Sequence, residues 1–354
     1  MKRRRRKQKL HRGACLILGM VACASVLFLA GRLKNVKEDP ITGEEAQTEE
    51  AQIPMDGPPE ESAQSPAGET QAKPQASAAS GEEKPQGLPS TAEGNAEIQT
   101  ETADWSSYFD GKNGAAVIYD SAKNRCIIYN EELANTRRSP CSTFKIVSSL
   151  IALEQGVIVP EDSVRAWSGE TFWNGDWNRD IGFDDAFRTS CVWYFREVVD
   201  DIGEARMQEA LEQLNYGNCD ISDWEGRQNT DNQNPALTGF WIESSLKISP
   251  KEQTEVLERI FGEDSIYSEE TVNHLKQVML QPEEDGTQAA VYGKTGMGKA
   301  QGVTVDAWFA GFAKQAEDNI YFCVYLGETK GEDISSTAAK NIAVSLVMDY
   351  CKNR

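Results

Sequence analysis

The pattern of apolar and polar positions changes character twice along this chain of 354 residues. An uncharged apolar run covers 14–30, a stretch without Phe, Trp or Tyr covers 38–101, and regular periodicities begin only after Asp104. In that last part, apolar runs at 115–119 and 126–129 predict two strands, joined by Asp120, Ser121, Ala122, Lys123 and Asn124 as a hairpin-like turn. The spacing of Ile146, Val147, Leu150, Ile151 and Leu153 after Pro140 predicts a helix. From 150 to 280 the pattern reads mostly as helices and long loops. Apolar runs at 289–292, 307–312 and 320–326 follow, and an amphipathic segment at 338–350 predicts a closing helix. Strands at both ends with helices between them imply an α+β domain. Its expected form is an antiparallel sheet of N- and C-terminal strands, flanked by helices, with an inserted mostly helical region. No internal repeat is visible.

Composition divides the rest. The formal charge is -20, which argues against a nucleic-acid partner because phosphate contacts need clustered Lys and Arg. Eight of the basic residues lie in 2–12, so the remainder carries -28. A basic tail (1–13) before an apolar segment (14–31) predicts a cytoplasmic end and a membrane anchor, with the bulk of the protein outside the cytoplasm. A cleaved signal peptide, with Ala22-Cys23-Ala24 as a small-residue site, is the alternative, and it also exports the domain. The segment 32–103 reads as a disordered tether. Its 38–101 part holds fifteen acidic residues and eight of thirteen prolines, and cannot bury enough apolar surface to offset its ordering entropy. All eight tryptophans follow Asp104, so 104–354 is the expected folded domain.

Only His11 and His274 are present, which nearly excludes a Ser-His-Asp triad and a histidine-based zinc site. A hydrolase here must activate its nucleophile with lysine or carboxylate. Ser142-Thr143-Phe144-Lys145 sits at the predicted helix start, where positions i and i+3 share a face. Apolar neighbours favour a neutral Lys145 amine, able to act as a base or to take up carbon dioxide as a carbamate. Ser244-Ser245-Leu246-Lys247 has the same pattern, so the motif alone is weak. Further motifs follow in order: Ser190-Cys191-Val192 before the aromatic run Trp193-Tyr194-Phe195, Tyr216-Gly217-Asn218 in a turn, and Lys294-Thr295-Gly296 after a strand. Ser-x-x-Lys on a helix beside a strand ending in Lys-Thr-Gly is the layout of penicillin-recognising serine enzymes.

With Phe240-Trp241-Ile242-Glu243, Trp177-Asn178-Arg179-Asp180 and Ala307-Trp308-Phe309-Ala310-Gly311 added, the chain resembles the class D β-lactamases, the oxacillinase family, over nearly all of 104–354. The resemblance implies hydrolysis of β-lactam small molecules through a serine acyl-enzyme. Ser142 would be the nucleophile and Lys145, as its carbamate (N6-carboxylysine, formed from CO2 or bicarbonate), the general base. Trp241 would donate its indole N–H to that group, and Val192 would line the dry pocket around it. Ser190 would relay a proton to the lactam nitrogen. Lys294 and Thr295 would hold the substrate carboxylate, Gly296 would let it approach the strand, and the N–H groups of Ser142 and Met297 would form the oxyanion hole. No metal or nucleotide cofactor is implied.

Tyr216-Gly217-Asn218 reads equally as a structural turn or a catalytic element, Trp308 as packing, and Asp180 and Glu243 as scaffold. The chain departs from the family at Met297, where an aromatic residue is common, and between Lys330 and Ala338, where an arginine often grips the carboxylate. Ser335, Ser336, Thr337 or Lys330 are the candidates to replace it. Two rival functions share the motifs: an extracellular β-lactam sensor that is acylated without turnover, and a cell-wall transpeptidase or carboxypeptidase. Val192, a position that is polar in sensors, favours turnover. The six cysteines after Asp104 are expected to be free, buried thiols, because a domain this large has its own core.

Overall fold

The computed structural model describes residues 98–282, 289–330 and 334–354. The expected anchor and nearly all of the expected tether lie outside them. Among the described residues no helix is long and apolar enough to cross a membrane.

In chain order the elements are β1 (Gln99–Thr102), α1 (Ser106–Phe109), β2 (Gly114–Asp120), β3 (Arg125–Tyr129), α2 (Glu131–Ala134), α3 (Lys145–Glu154), α4 (Phe183–Arg188), α5 (Val192–Ile202), α6 (Glu204–Leu214), α7 (Pro250–Phe261), α8 (Glu269–Met279), β4 (Ala290–Ala300), β5 (Val303–Gln315), β6 (Asp318–Gly327) and α9 (Ser336–Asn353). The strands form one sheet in the order β1-β3-β2-β6-β5-β4. The expected union of N- and C-terminal strands is the β2–β6 pair, in which Val117 opposes Cys323.

The sheet is mixed rather than wholly antiparallel, because β1 pairs parallel to β3. This strand also lies inside the stretch read as tether. Its Gln-Thr-Glu-Thr sequence has no apolar alternation and every residue is exposed, so edge pairing of the backbone, and not burial, gives it its form. Glu101 adds an ion pair with Arg125 of β3.

Period-two alternation on β5 and β6 explains how the sheet separates two cores. Trp308, Ala310, Phe312, Tyr321, Cys323 and Tyr325 face one cluster, which includes apolar residues of α3, α5, α7 and α8. Ala307, Phe309, Ala313, Ile320, Phe322, Val324 and Leu326 face the other, closed by α9. Both faces of these strands are covered, which is why they read as unbroken apolar runs. Within the first core α3 is buried from Lys145 to Ala152, so its lysine enters an interior that is otherwise apolar. α7 starts where the sequence Ser249-Pro250 allows: Ser249 and Glu252 form a reciprocal capping box with Pro250 at the first position.

Candidate active site

Ser142 lies in a single 3-10 turn, Cys141–Phe144, that runs directly into α3. Cys141 has φ +49, a left-handed conformation that redirects the chain before the nucleophile. The turn is fastened from three sides. The Cys141 N–H donates to the Trp241 carbonyl at 2.9 Å. The Thr143 hydroxyl donates to the Pro140 carbonyl at 2.7 Å and accepts from Gln253 of α7 at 2.8 Å. On the remaining side β4 passes so close that a Cβ on Gly296 would lie 2.9 Å from the Pro140 carbonyl oxygen. Gly296 therefore serves close approach of strand to turn, the property that glycine alone supplies.

The Lys145 Nζ donates to Ser142 Oγ at 3.0 Å, as the i, i+3 spacing requires. Lys145 is only 1% exposed. Burial pulls its amine down to about 8, against smaller opposing effects of Cys191 and Cys141. The Phe195 ring of α5 faces the amine at 5.2 Å. A neutral fraction of about a tenth at pH 7 makes Lys145 a competent proton acceptor for the adjacent hydroxyl.

Ser190 and Lys294 form a second pair, with Nζ 3.0 Å from Oγ. Ser190 has φ +60, just before α5, and Lys294 comes from the middle of β4. The Lys294 amine also donates to the Thr295 carbonyl at 3.1 Å and reaches its hydroxyl at 3.4 Å. Burial, reinforced by the charge of Lys145, holds this amine well below the usual lysine range. The two cations therefore belong to one electrostatic unit. Val192 begins α5 and packs against the main core, while Met297, two residues after Thr295, is 42% exposed.

Trp241 is 1% exposed and stacks on Phe144, the residue before Lys145. Its indole Nε1 is buried without a hydrogen-bond partner, a costly arrangement unless a further acceptor occupies the site. Arg196 covers part of its ring at 5.5 Å.

The remaining candidates are engaged elsewhere, except that the Tyr216 ring packs edge-on against Phe144 at 5.6 Å. Tyr216-Gly217-Asn218 is a latch on the second Ser-x-x-Lys segment: Asn218 Oδ1 accepts from Lys247 N at 2.8 Å, and its Nδ2 donates to the Ser245 carbonyl at 2.8 Å. Trp308 is fully buried in the main core, and Asp180 caps the Trp167 N–H at 2.9 Å. Ser335 caps α9 through Ala338 N, so its hydroxyl is already engaged. His274 lies half-buried on α8 and is hydrogen-bonded within its own helix. All six cysteines of the described chain are free, and five are buried. Among the described residues no group of three or more His, Cys, Asp and Glu is arranged to hold a metal ion. Gln253 and Ser139 escaped the sequence reading. Ser139 Oγ donates to the Trp241 carbonyl at 3.2 Å and accepts from Glu243 N at 2.8 Å, a tie across 104 residues that no local pattern announces.

Fold and site together set a buried lysine amine beside a serine hydroxyl at the start of a core helix. The family described as the penicillin binding protein transpeptidase domain matches residues 107–347, and the chain belongs to it. A probable β-lactamase, YbxI, of Bacillus subtilis (strain 168) is 35% identical over 247 residues, 68% of this chain and 82% of the relative. The regulatory protein BlaR1 of Bacillus licheniformis is 29% identical over 250 residues, covering 70% of this chain and 39% of that protein. Among solved structures, the class D β-lactamase BAT-2 delta mutant is similar with a TM-score of 0.59 and 33% identity, covering 70% of this chain and 95% of the other.

Proposed function

We propose that the domain hydrolyses β-lactams through a Ser142 acyl-enzyme, with Lys145 as the base in the manner of class D enzymes. The observation that carries this reading is the 3.0 Å contact between a buried, partly neutral amine and the nucleophile. Ser142 Oγ attacks the lactam carbonyl while Lys145 accepts its proton. The N–H groups of Ser142 and Met297 receive the developing oxyanion. Ser190 passes a proton to the lactam nitrogen as the C–N bond breaks, leaving an ester on Ser142, and Lys294 orients that hydroxyl. Lys294 and Thr295 attract the substrate carboxylate. Water then cleaves the ester and frees the serine.

Bound to Lys145 as a carbamate, carbon dioxide would supply an anionic oxygen acceptor for the proton of the attacking water in that second step. The residues fit it. A neutral amine is required for carboxylation, and the unpartnered Trp241 indole N–H beneath the site supplies a donor for a new oxygen acceptor. Val192 at the start of α5 offers no hydroxyl or amide to compete for the lysine, which favours turnover over the arrested acylation of a sensor. The basic tail and the apolar segment 14–31 support a domain held outside the cytoplasm at the membrane, where these antibiotics are met.

The test is to mix the purified full chain with a chromogenic cephalosporin, with and without added bicarbonate. Multiple turnovers that bicarbonate accelerates are expected. A single stable equivalent of acylation would support the sensor reading, for which BlaR1 is the relevant relative, and absence of acylation would leave only a scaffold.

A further inference from the structure

Directly behind the nucleophile lies a pair of carboxyl groups that the reaction above does not use. Glu243 has φ +48, and its carboxyl accepts from the Cys141 thiol at 3.2 Å. Two non-glycine residues in left-handed conformations thus meet through their side chains, one of them bonded to Ser142. Each such conformation costs about 1 kcal/mol or more and persists only where its surroundings impose it. On its other side the Glu243 carboxyl presses on β4: a Cβ on Gly298 would lie 1.6 Å from Oε1 and 2.8 Å from Cys141 Sγ. Gly298 pairs across the sheet with Asp306 of β5, whose side chain is 5% exposed and accepts from the Tyr325 hydroxyl at 2.5 Å. Glu243 and Asp306 line the same polar cavity.

We propose that the Glu243 carboxyl, bonded to the Cys141 thiol and wedged against Gly298, clamps the Cys141–Ser142 turn onto β4, making Glu243 a positioning residue for acylation. The inference rests on the hydrolase reading of Ser142 and deepens it. Burial first, and the negative charge of Asp306 second, push the Glu243 carboxyl up to about 7, while Lys247 pulls the other way. Burial raises the Cys141 thiol well above its ordinary range, so it remains a donor. Arg137, Arg138 and Glu328 are the other charged groups along the polar cavity of about 450 Å³ beside the pair, and the Tyr325 phenol faces Asp306. Below neutrality the clamp is closed. Above it Glu243 becomes negatively charged in a buried site, and the turn carrying Ser142 loses its support against β4. Because the folded-state value is raised above the unfolded one, the associated stability is full below about pH 4, the ordinary glutamate range, and is lost as pH rises through about 7.

The experiment follows acylation by a penicillin, at saturating dissolved carbon dioxide, between about pH 6 and about pH 8.5, together with the melting temperature over the same range. The wild-type acylation rate constant should fall about fivefold as Glu243 ionises, and the melting temperature should fall with it. Glu243→Ala should acylate about tenfold more slowly at every pH. Glu243→Gln, which keeps an acceptor for the thiol, should restore the rate and flatten both profiles. A Glu243→Gln acylation profile that follows the wild-type curve would overturn the positioning role, even if the melting profile flattens. A wild-type chain that is not acylated at any pH would instead remove the hydrolase reading, and the positioning role with it. The melting slope would then report only on the titration of Glu243.

Discussion

Ser142 and Lys145 stand where a single turn enters a helix buried through most of its length, whereas Ser244 and Lys247 lie in a non-helical segment. In the first segment the lysine amine reaches the serine hydroxyl at 3.0 Å. In the second, Ser244 donates to the Asp223 carboxylate and Lys247 contributes its backbone to the Asn218 latch, with N 2.8 Å from Oδ1 and O 3.0 Å from N. Gly217 closes that latch, because any Cβ there would lie 2.0 Å from the Lys247 carbonyl oxygen. One four-residue pattern therefore makes a reactive pair or a structural brace. The difference is set by helical geometry and by the desolvation of the amine.

The largest effect expected from this contrast is at the nucleophile. Ser142→Ala should abolish acylation, lowering turnover by about four orders of magnitude or more, while Ser244→Ala should still be acylated; mass spectrometry of penicillin-treated protein distinguishes them. Lys145→Ala should slow deacylation about a thousandfold, measured as decay of the acyl-enzyme. Lys247→Ala should leave that decay intact. Trp241→Phe removes the buried indole donor while keeping the ring stacked on Phe144. It should raise the bicarbonate concentration needed for half-maximal turnover about tenfold or more, the worth of one hydrogen bond to a charged group.

Smaller effects concern stability. Holding Lys145 at about 8 instead of its ordinary value corresponds to about 3 kcal/mol, so Lys145→Met should raise the melting temperature by about 5 °C or more at neutral pH, with the chain inactive. The sign follows from the lowered folded-state value: the gain is full below about pH 8 and shrinks as pH rises toward the ordinary lysine range. Ser244→Ala removes one donor from the half-buried Asp223, which keeps the Arg227 and Gln228 N–H groups, and should cost about 1 kcal/mol in chemical denaturation, with turnover per folded molecule unchanged. An equal loss of turnover in Ser142 and Ser244 variants would erase the contrast.

Much of this was legible in the sequence because it depends on local spacing. The i, i+3 relation brings Ser142 and Lys145 together, and the unbroken apolar runs of β5 and β6 announce strands covered on both faces. Glycine at 296 was read as a place where a substrate approaches, whereas the close approach in the structure is that of the Pro140 carbonyl. What stayed hidden depends on distant chain segments. No window of sequence shows that Ser139, Cys141 and Glu243 interlock, or that Gln253 of α7 steadies Thr143. The β1 strand was hidden for another reason: its residues bury nothing, and backbone pairing with β3 gives them order. The choice between the two Ser-x-x-Lys segments was open in isolation. It was resolved by context, since only one of them lies at the start of a periodic helix facing Lys294 and Ser190.

The central claim, a Ser142 acyl-enzyme that Lys145 helps to release, is tested most directly by rapid-quench mass spectrometry of the full chain after one equivalent of a penicillin. The account predicts an adduct on Ser142 that forms and then disappears, returning free protein and hydrolysed drug, faster with added bicarbonate. A stoichiometric adduct that persists unchanged, with or without bicarbonate, would contradict it.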